Sequence, residues 1–118
     1  MKYEIFYNKS KSPFIFGIGD KPTSLGHVSK WYSKVHTLEM GGDVSPNLEA
    51  IFALFNLGNN PLATPRGQDR IRRLGVGHTS ISVGDIVKVD GNYYYCDKVG
   101  WKKMRLQDSA NRKLRKVL

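Results

Sequence analysis

The chain has 118 residues, 19 Lys and Arg against 10 Asp and Glu, a formal net charge of +9 and one cysteine. That length suits one domain with its own core and excludes two, and a lone cysteine excludes an internal disulfide. No Cys/His cluster has metal-ligand spacing, no apolar run approaches a membrane span, and charge enters too early for a secretory leader, so the expectation is a cytoplasmic domain with no metal, cofactor or membrane.

At the N-terminus Tyr3, Ile5 and Tyr7 alternate with Glu4 and Phe6, which reads as a strand with both faces partly apolar. Pro13, Gly17, Gly19 and Pro22 then punctuate the chain, and Phe14, Ile15 and Phe16 read either as a short strand or as a loop pinned by aromatics. The run from Gly17 to Asp20 hints at a phosphate loop but lacks the following Lys-Ser/Thr and a helix. Residues 25–32 are weakly helical at best, and residues 35–40, VHTLEM, read as a short strand ended by Gly41 and Gly42.

Ser45 and Pro46 supply a side-chain oxygen for an N-cap and a proline for the first helical position. Leu48, Ile51, Phe52 and Phe55 follow at i, i+3, i+4 and i+7, so a helix over residues 46–57 is predicted to lay that face on a sheet, with Gly58 as its stop. Thr64 and Pro65 repeat the cap-plus-proline signature and Gly75 closes the segment, which predicts a short helix over residues 66–74 with Ile71 and Leu74 inward. Arg66, Arg70 and Arg73 align on that helix at i, i+4 and i+7. Such a row suits the phosphates of a nucleic acid strand, because a guanidinium forks to phosphate oxygens; a solvated helix face is the alternative.

Residues 77–101, GHTSISVGDIVKVDGNYYYCDKVGW, read as a folded β unit around which the rest is organised. Asp90-Gly91 provides the positive φ angles of a type I′ turn, which sets Val89 opposite Asn92, Val87 opposite Tyr94 and Asp85 opposite Cys96. Val87, Val89, Tyr94 and Cys96 then share one face, and Ile86, Lys88, Tyr93 and Tyr95 the other. Ile81 and Val83 alternate with serines upstream as strand, Gly84 marks a bend, and a third short strand opens at residues 99–101 with Trp101 and Met104 as core anchors. Beyond it Leu106, Ala110, Leu114 and Leu118 recur every four residues between Arg112, Lys113, Arg115 and Lys116, with Asp108 or Ser109 as cap. This basic amphipathic tail over residues 106–118 either docks on the core of residues 1–105, stays disordered, or folds on an acidic surface.

The charge is uneven: residues 1–60 hold six basic and five acidic residues, and residues 61–118 hold thirteen and five. Such asymmetry points to an anionic partner, nucleic acid first, with a solubilising surface or an acidic protein partner as alternatives.

The order of a first strand, LEAIFALFN at residues 48–56, GHTSISVGDIV and the YxCxxxGW pattern ending at Trp101 resembles the YodL-like domain of bacterial mobile elements and phages, over residues 37–103. The resemblance implies a compact α+β accessory protein of a phage or mobile element, in the cytoplasm of a bacterial host and often beside DNA-processing modules, and it implies no reaction. This chain departs from the pattern by inserting residues 64–75 and by adding the cationic tail.

Catalysis has little to stand on. His78, Thr79, Ser80 and Ser82 cluster with Asp85, as in a small metal-free nuclease with an imidazole base, but His27 and His36 lie in unrelated segments and Cys96 faces the core. No catalytic residue is assigned. The sequence therefore predicts an α+β domain: an N-terminal strand and a C-terminal meander in one small antiparallel sheet covered by one main helix, with a short Arg-rich helix and a basic C-terminal helix. Its expected function is non-enzymatic nucleic-acid binding of low sequence specificity through Arg66, Arg70, Arg72, Arg73, Lys102, Lys103 and the tail cations, with Lys88, Tyr93 and Tyr95 as a stacking surface. The alternative is an inhibitor or adaptor that binds an acidic surface of a host protein.

Overall fold

The structure, a computed structural model, describes residues 1–9 and 25–105. In chain order the elements are β1 (Lys2–Asn8), α1 (Leu25–Trp31), β2 (Tyr32–Glu39), α2 (Val44–Leu54), α3 (Pro65–Arg73), β3 (Ile86–Val89), β4 (Asn92–Cys96) and β5 (Trp101–Met104). The strands form one antiparallel sheet in the order β2-β1-β3-β4-β5, so the fold is α+β. The aromatic segment Phe14–Phe16, the glycine run ending at Asp20 and the basic tail lie outside the described residues.

The Asp90-Gly91 turn sets the register of the C-terminal half. Asp90 has φ 48° and Gly91 φ 81°, the left-handed pair that a two-residue hairpin needs, and Val89 faces Asn92 and Val87 faces Tyr94 as expected. β1 lies inside the sheet between β2 and β3. A register shift between Ile5 and Phe6 leaves Val35 as the extra residue of β2, and that side chain is fully buried.

On one face Tyr3, Ile5, Tyr7, Val35, Val87 and Val89 pack beneath Leu48 and Ile51 of α2, Phe55 at its C-terminal cap, and Ile71 of α3. The second face is also covered, by α1, in the segment where the sequence showed only weak helical preference. Val28 and Trp31 of α1 cluster there with Phe6, Ile86, Tyr95 and Met104. Inner strands that carry apolar side chains on both sides need cover on both, and this stabilises a helix in a segment of weak intrinsic preference.

Several boundaries differ from expectation: β2 begins at Tyr32 rather than Val35, α3 runs one residue earlier at each end, and β5 opens at Trp101. α2 starts at Val44 with Asp43 as the flanking residue, so Pro46 sits in the first turn, where its missing N–H costs nothing. The helix ends at Leu54, and Phe52 points outward at 40 % exposure. Residues 80–83 are turn and coil rather than strand: Ile81 is buried, Val83 is exposed, and Gly84 bends the chain into β3 at φ 103°.

Candidate nucleic-acid interface

α3 is built by local signals at both ends. The Thr64 hydroxyl accepts from the Gly67 N–H at 3.0 Å, with Pro65 at the start of the helix. At the far end Gly75, at φ 75°, donates its N–H to the Arg72 carbonyl, and Val76 donates to the Ile71 carbonyl, the pair of hydrogen bonds that closes a helix on a left-handed glycine. Buried Ile71 holds the helix to the core, and the Ser33 hydroxyl donates to the Leu74 carbonyl at 3.3 Å, which places α3 over the β2 side of the sheet.

Arg66, Arg70, Arg72 and Arg73 are all exposed. Arg66, Arg70 and Arg73 fall within about 60° of one another around the helix axis, spread over about 10 Å along it. Arg73 and Arg72 share the Asp69 carboxylate at 3.0 and 3.4 Å, exposed contacts of little energetic weight. Among the described residues no carboxylate pairs with Arg66 or Arg70. The helix thus presents four arginines against one aspartate, with its last-turn cations placed favourably at the negative end of the helix dipole. Arg70 also acts inward: burial first, and then its charge, push the His36 imidazole below its ordinary pKa.

The remaining expected contacts are not gathered onto this surface. Lys88 and Tyr93 lie on the opposite face of the sheet, with the ammonium 5.5 Å from the ring centre, and Lys88 stands directly across from Glu4. Glu4 is in turn held by Lys34 at 3.1 Å. Tyr95 is corrected as a stacking residue: it is 5 % exposed and buried in one cluster with Ile86 and Met104, so its ring offers no open face to a base. Lys102 and Lys103 are exposed on the edge strand β5 and point to opposite faces. Arg112, Lys113, Arg115 and Lys116 fall outside the described residues.

Two side chains organise the loop between α3 and β3: Asn60, which has no signal in the sequence, and Asp85, which the sequence groups with His78 without showing their contact. Asn60, 6 % exposed, donates to the carbonyls of Phe55 and Thr79 at 2.8 Å and accepts from the Leu62 N–H at 2.8 Å, joining the end of α2, the approach to α3 and the loop. Asp85, 1 % exposed, accepts from the N–H groups of Asn8 at 2.9 Å and Ser82 at 2.8 Å, and from the Ser82 hydroxyl. It also supplies the partner that His78 lacked in the sequence, with Nε2 at 3.1 Å. Burial pushes the Asp85 carboxyl up, and the His78 contact draws it partly back. The imidazole stacks on Tyr7 at 4.7 Å, and the Tyr7 hydroxyl donates to the Thr79 carbonyl. Such a cluster can orient an imidazole, and it fastens the loop. Cys96 faces inward as expected, and burial, with the carboxylates of Asp85, Asp97 and Glu49 adding to it, pushes its thiol up to about 12.

Among the described residues no group of three or more His, Cys, Asp or Glu could hold a metal ion, and no helix is long and apolar enough to cross a membrane. No family model and no solved structure matches the chain. It is 39 % identical to the uncharacterized protein R785 of Acanthamoeba polyphaga mimivirus, in an alignment that covers 92 % of this chain and 96 % of the viral protein.

Proposed function

This chain belongs to the family of the mimivirus protein R785, and from that premise we propose that it is a non-enzymatic viral accessory protein that grips nucleic acid by its phosphates, with α3 as the gripping element. The observation that carries the reading is the exposed arginine row on a helix capped at both ends and pinned through Ile71. Charge supplies the affinity, with little dependence on base sequence. The resemblance to the YodL-like domain fits as the source of a common scaffold to which the arginine segment was added. The working place is the cytoplasm of an infected cell, and the mimivirus relative favours an amoebal host over the bacterial one that the resemblance implies.

The test is binding to single-stranded DNA, duplex DNA and RNA, followed by fluorescence anisotropy across a salt series. Affinity should fall steeply with salt, and the Arg66→Gln, Arg70→Gln, Arg73→Gln triple variant should flatten the duplex slope by up to about 0.9 per lost phosphate contact, roughly 2 to 3 in total. No binding to any of the three at low salt removes the proposal.

A second reading, an adaptor on an acidic host protein, draws support from Asp69, which shows two arginines of the same helix already engaging a carboxylate. Capture from lysate that survives nuclease treatment favours it over the first. A metal-free nuclease with His78 as base is the weaker reading, since Nε2 is committed to the carboxylate that holds its loop. A cleavage activity abolished by His78→Ala without loss of fold would revive it.

A further inference from the structure

We propose that the groove between α2 and the β4–β5 end of the sheet binds a guanine base that carries a phosphate. α2 and the residue that caps it lie over the β1–β2 side of the sheet, where Asn47 reaches the Tyr3 hydroxyl of β1 at 3.0 Å and Phe55 packs against His36 of β2 with the rings steeply inclined. The same face of β4 and β5 is therefore left partly open, and its side chains there are Tyr94, Cys96, Trp101 and Lys103. Two adjoining hollows of about 310 and 240 Å³ result, with Glu49 and Trp101 lining both.

The chemistry of the larger hollow is specific. Tyr94 and Trp101 are partly exposed rings on neighbouring strands, a sheet platform on which a flat heterocycle stacks. Lys103, directly across from Tyr94, puts an ammonium at the platform's edge. Glu49 looks onto it from the helix, is exposed, and among the described residues pairs with no cation. A carboxylate only accepts hydrogen bonds, so the ligand edge that meets it must donate. Guanine presents its N1–H and 2-amino group side by side, two parallel donors for two oxygens, in the fork geometry that makes such pairs strong. Adenine sets an acceptor beside its amino group, and uracil flanks its one N–H with carbonyls. The phosphate then falls to Lys103. The smaller hollow continues the groove past Trp101 towards Phe52 and Lys98, enough room for a neighbouring nucleotide.

This site goes beyond the phosphate grip of α3 and stands apart from it, since α3 lies over β2 and the groove is at β5, the opposite edge of the sheet. A guanine nucleotide free in solution and a guanine in a single strand share the required chemistry. The experiment uses the full chain with Trp31→Phe, which leaves Trp101 as the one indole. Its fluorescence is followed during titration with GMP, AMP, UMP, guanosine and a short oligonucleotide with or without a single guanine.

Saturable quenching by GMP or by the guanine-containing oligonucleotide, about tenfold tighter than by the adenine or uracil counterparts, supports the site. Saturation by GMP identifies the free nucleotide as sufficient, and saturation by the oligonucleotide alone identifies the single strand. Glu49→Gln should weaken the guanine ligand about tenfold and erase the base preference. Lys103→Gln should weaken GMP but not guanosine. Replacing the α3 arginines should leave GMP quenching unchanged, which keeps this outcome separate from that of the phosphate grip. Absence of saturable, guanine-selective quenching by both GMP and the oligonucleotide, or a Glu49→Gln protein indistinguishable from its parent, overturns the proposal.

Discussion

His78 reaches a carboxylate that is 1 % exposed, its Nε2 3.1 Å from Oδ2 of Asp85, and the same carboxylate takes the N–H of Asn8 from β1. One side chain thus ties the loop before β3 to the inner strand of the sheet. Asp85→Ala should cost about 3 kcal/mol in urea denaturation, because it strands two backbone donors and an imidazole, whereas His78→Gln should cost about 1. The pH dependence has a definite sign. An acid raised in the folded state binds its proton more tightly there, so its contribution is complete below the unfolded value of about 3.9 and is lost as pH climbs through the folded value. Wild type should therefore lose ground to Asp85→Asn from about pH 4 upward. A gap between their denaturation midpoints that stays constant up to neutrality would contradict a raised, buried acid.

Gly67 sits where α3 crosses the chain at Leu62, and a methyl group there would stand 2.7 Å from the Leu62 α-carbon and 2.7 Å from its carbonyl oxygen. Backbone cannot swing aside as a long side chain can. Gly67→Ala should cost about 2 kcal/mol and, by loosening α3, weaken polyanion binding as well. Gly75 has open space around it but a φ of 75°, so Gly75→Ala should cost about 1 kcal/mol through backbone strain alone. Thermal melts of the two variants separate contact from conformation, and a Gly67→Ala protein that melts with wild type would refute the close crossing.

What the sequence made legible is what neighbours in the chain decide. The Asp90-Gly91 turn fixes the β3–β4 register by itself, and Thr64, Pro65 and Gly75 delimit α3 without help from the rest of the fold. α1 was not legible, because LGHVSKW carries a glycine and a β-branched residue and gains its helix from the sheet face that Val28 and Trp31 cover. The place of β1 inside the sheet depends on pairing Phe6 with Ile86, a contact no local pattern announces. The start of α2 was misplaced because Ser45-Pro46 imitates a cap two residues after the true boundary at Asp43. For the candidate interface, spacing alone revealed the arginine row. The separation of Lys88 from that row and the burial of Tyr95 required knowing which face each helix covers, and the grouping of Asp85 with His78 was legible while the Asn8 N–H that anchors the same carboxylate to β1 was not.

Arg70 and His36 form a built-in reporter. His36 packs its ring against Phe55 at 5.6 Å, and burial, followed by the Arg70 charge, lowers its pKa. A base depressed in the folded state gives stability that is present above the unfolded value of about 6.5 and is lost as pH falls towards the folded value. Arg70→Gln should move the His36 titration, followed by proton NMR, back towards the ordinary value and soften that loss on the acid side. A polyanion seated on α3 should shift the same resonance in the same direction, by screening Arg70. An unmoved His36 signal under saturating nucleic acid would place the bound phosphates away from Arg70.

Cys96 tests whether the β4–β5 end of the core is closed beneath its groove. The residue is 3 % exposed, and burial, with three carboxylates adding to it, lifts the thiol to about 12. Only the thiolate reacts at a useful rate, so iodoacetamide at neutral pH should modify the native protein at least about a hundredfold more slowly than the urea-unfolded chain, whose thiol titrates near 8.5. The raised acid contributes stability that is whole below about 8.5 and is lost only as pH rises through the folded value, so none of it is at stake near neutrality. Asp97→Asn should leave the native rate nearly unchanged, because burial rather than the neighbouring charge dominates the shift. Mass spectrometry of the alkylated protein gives both rates, and a native thiol that reacts as fast as the unfolded one would mean that the floor under Trp101 is open.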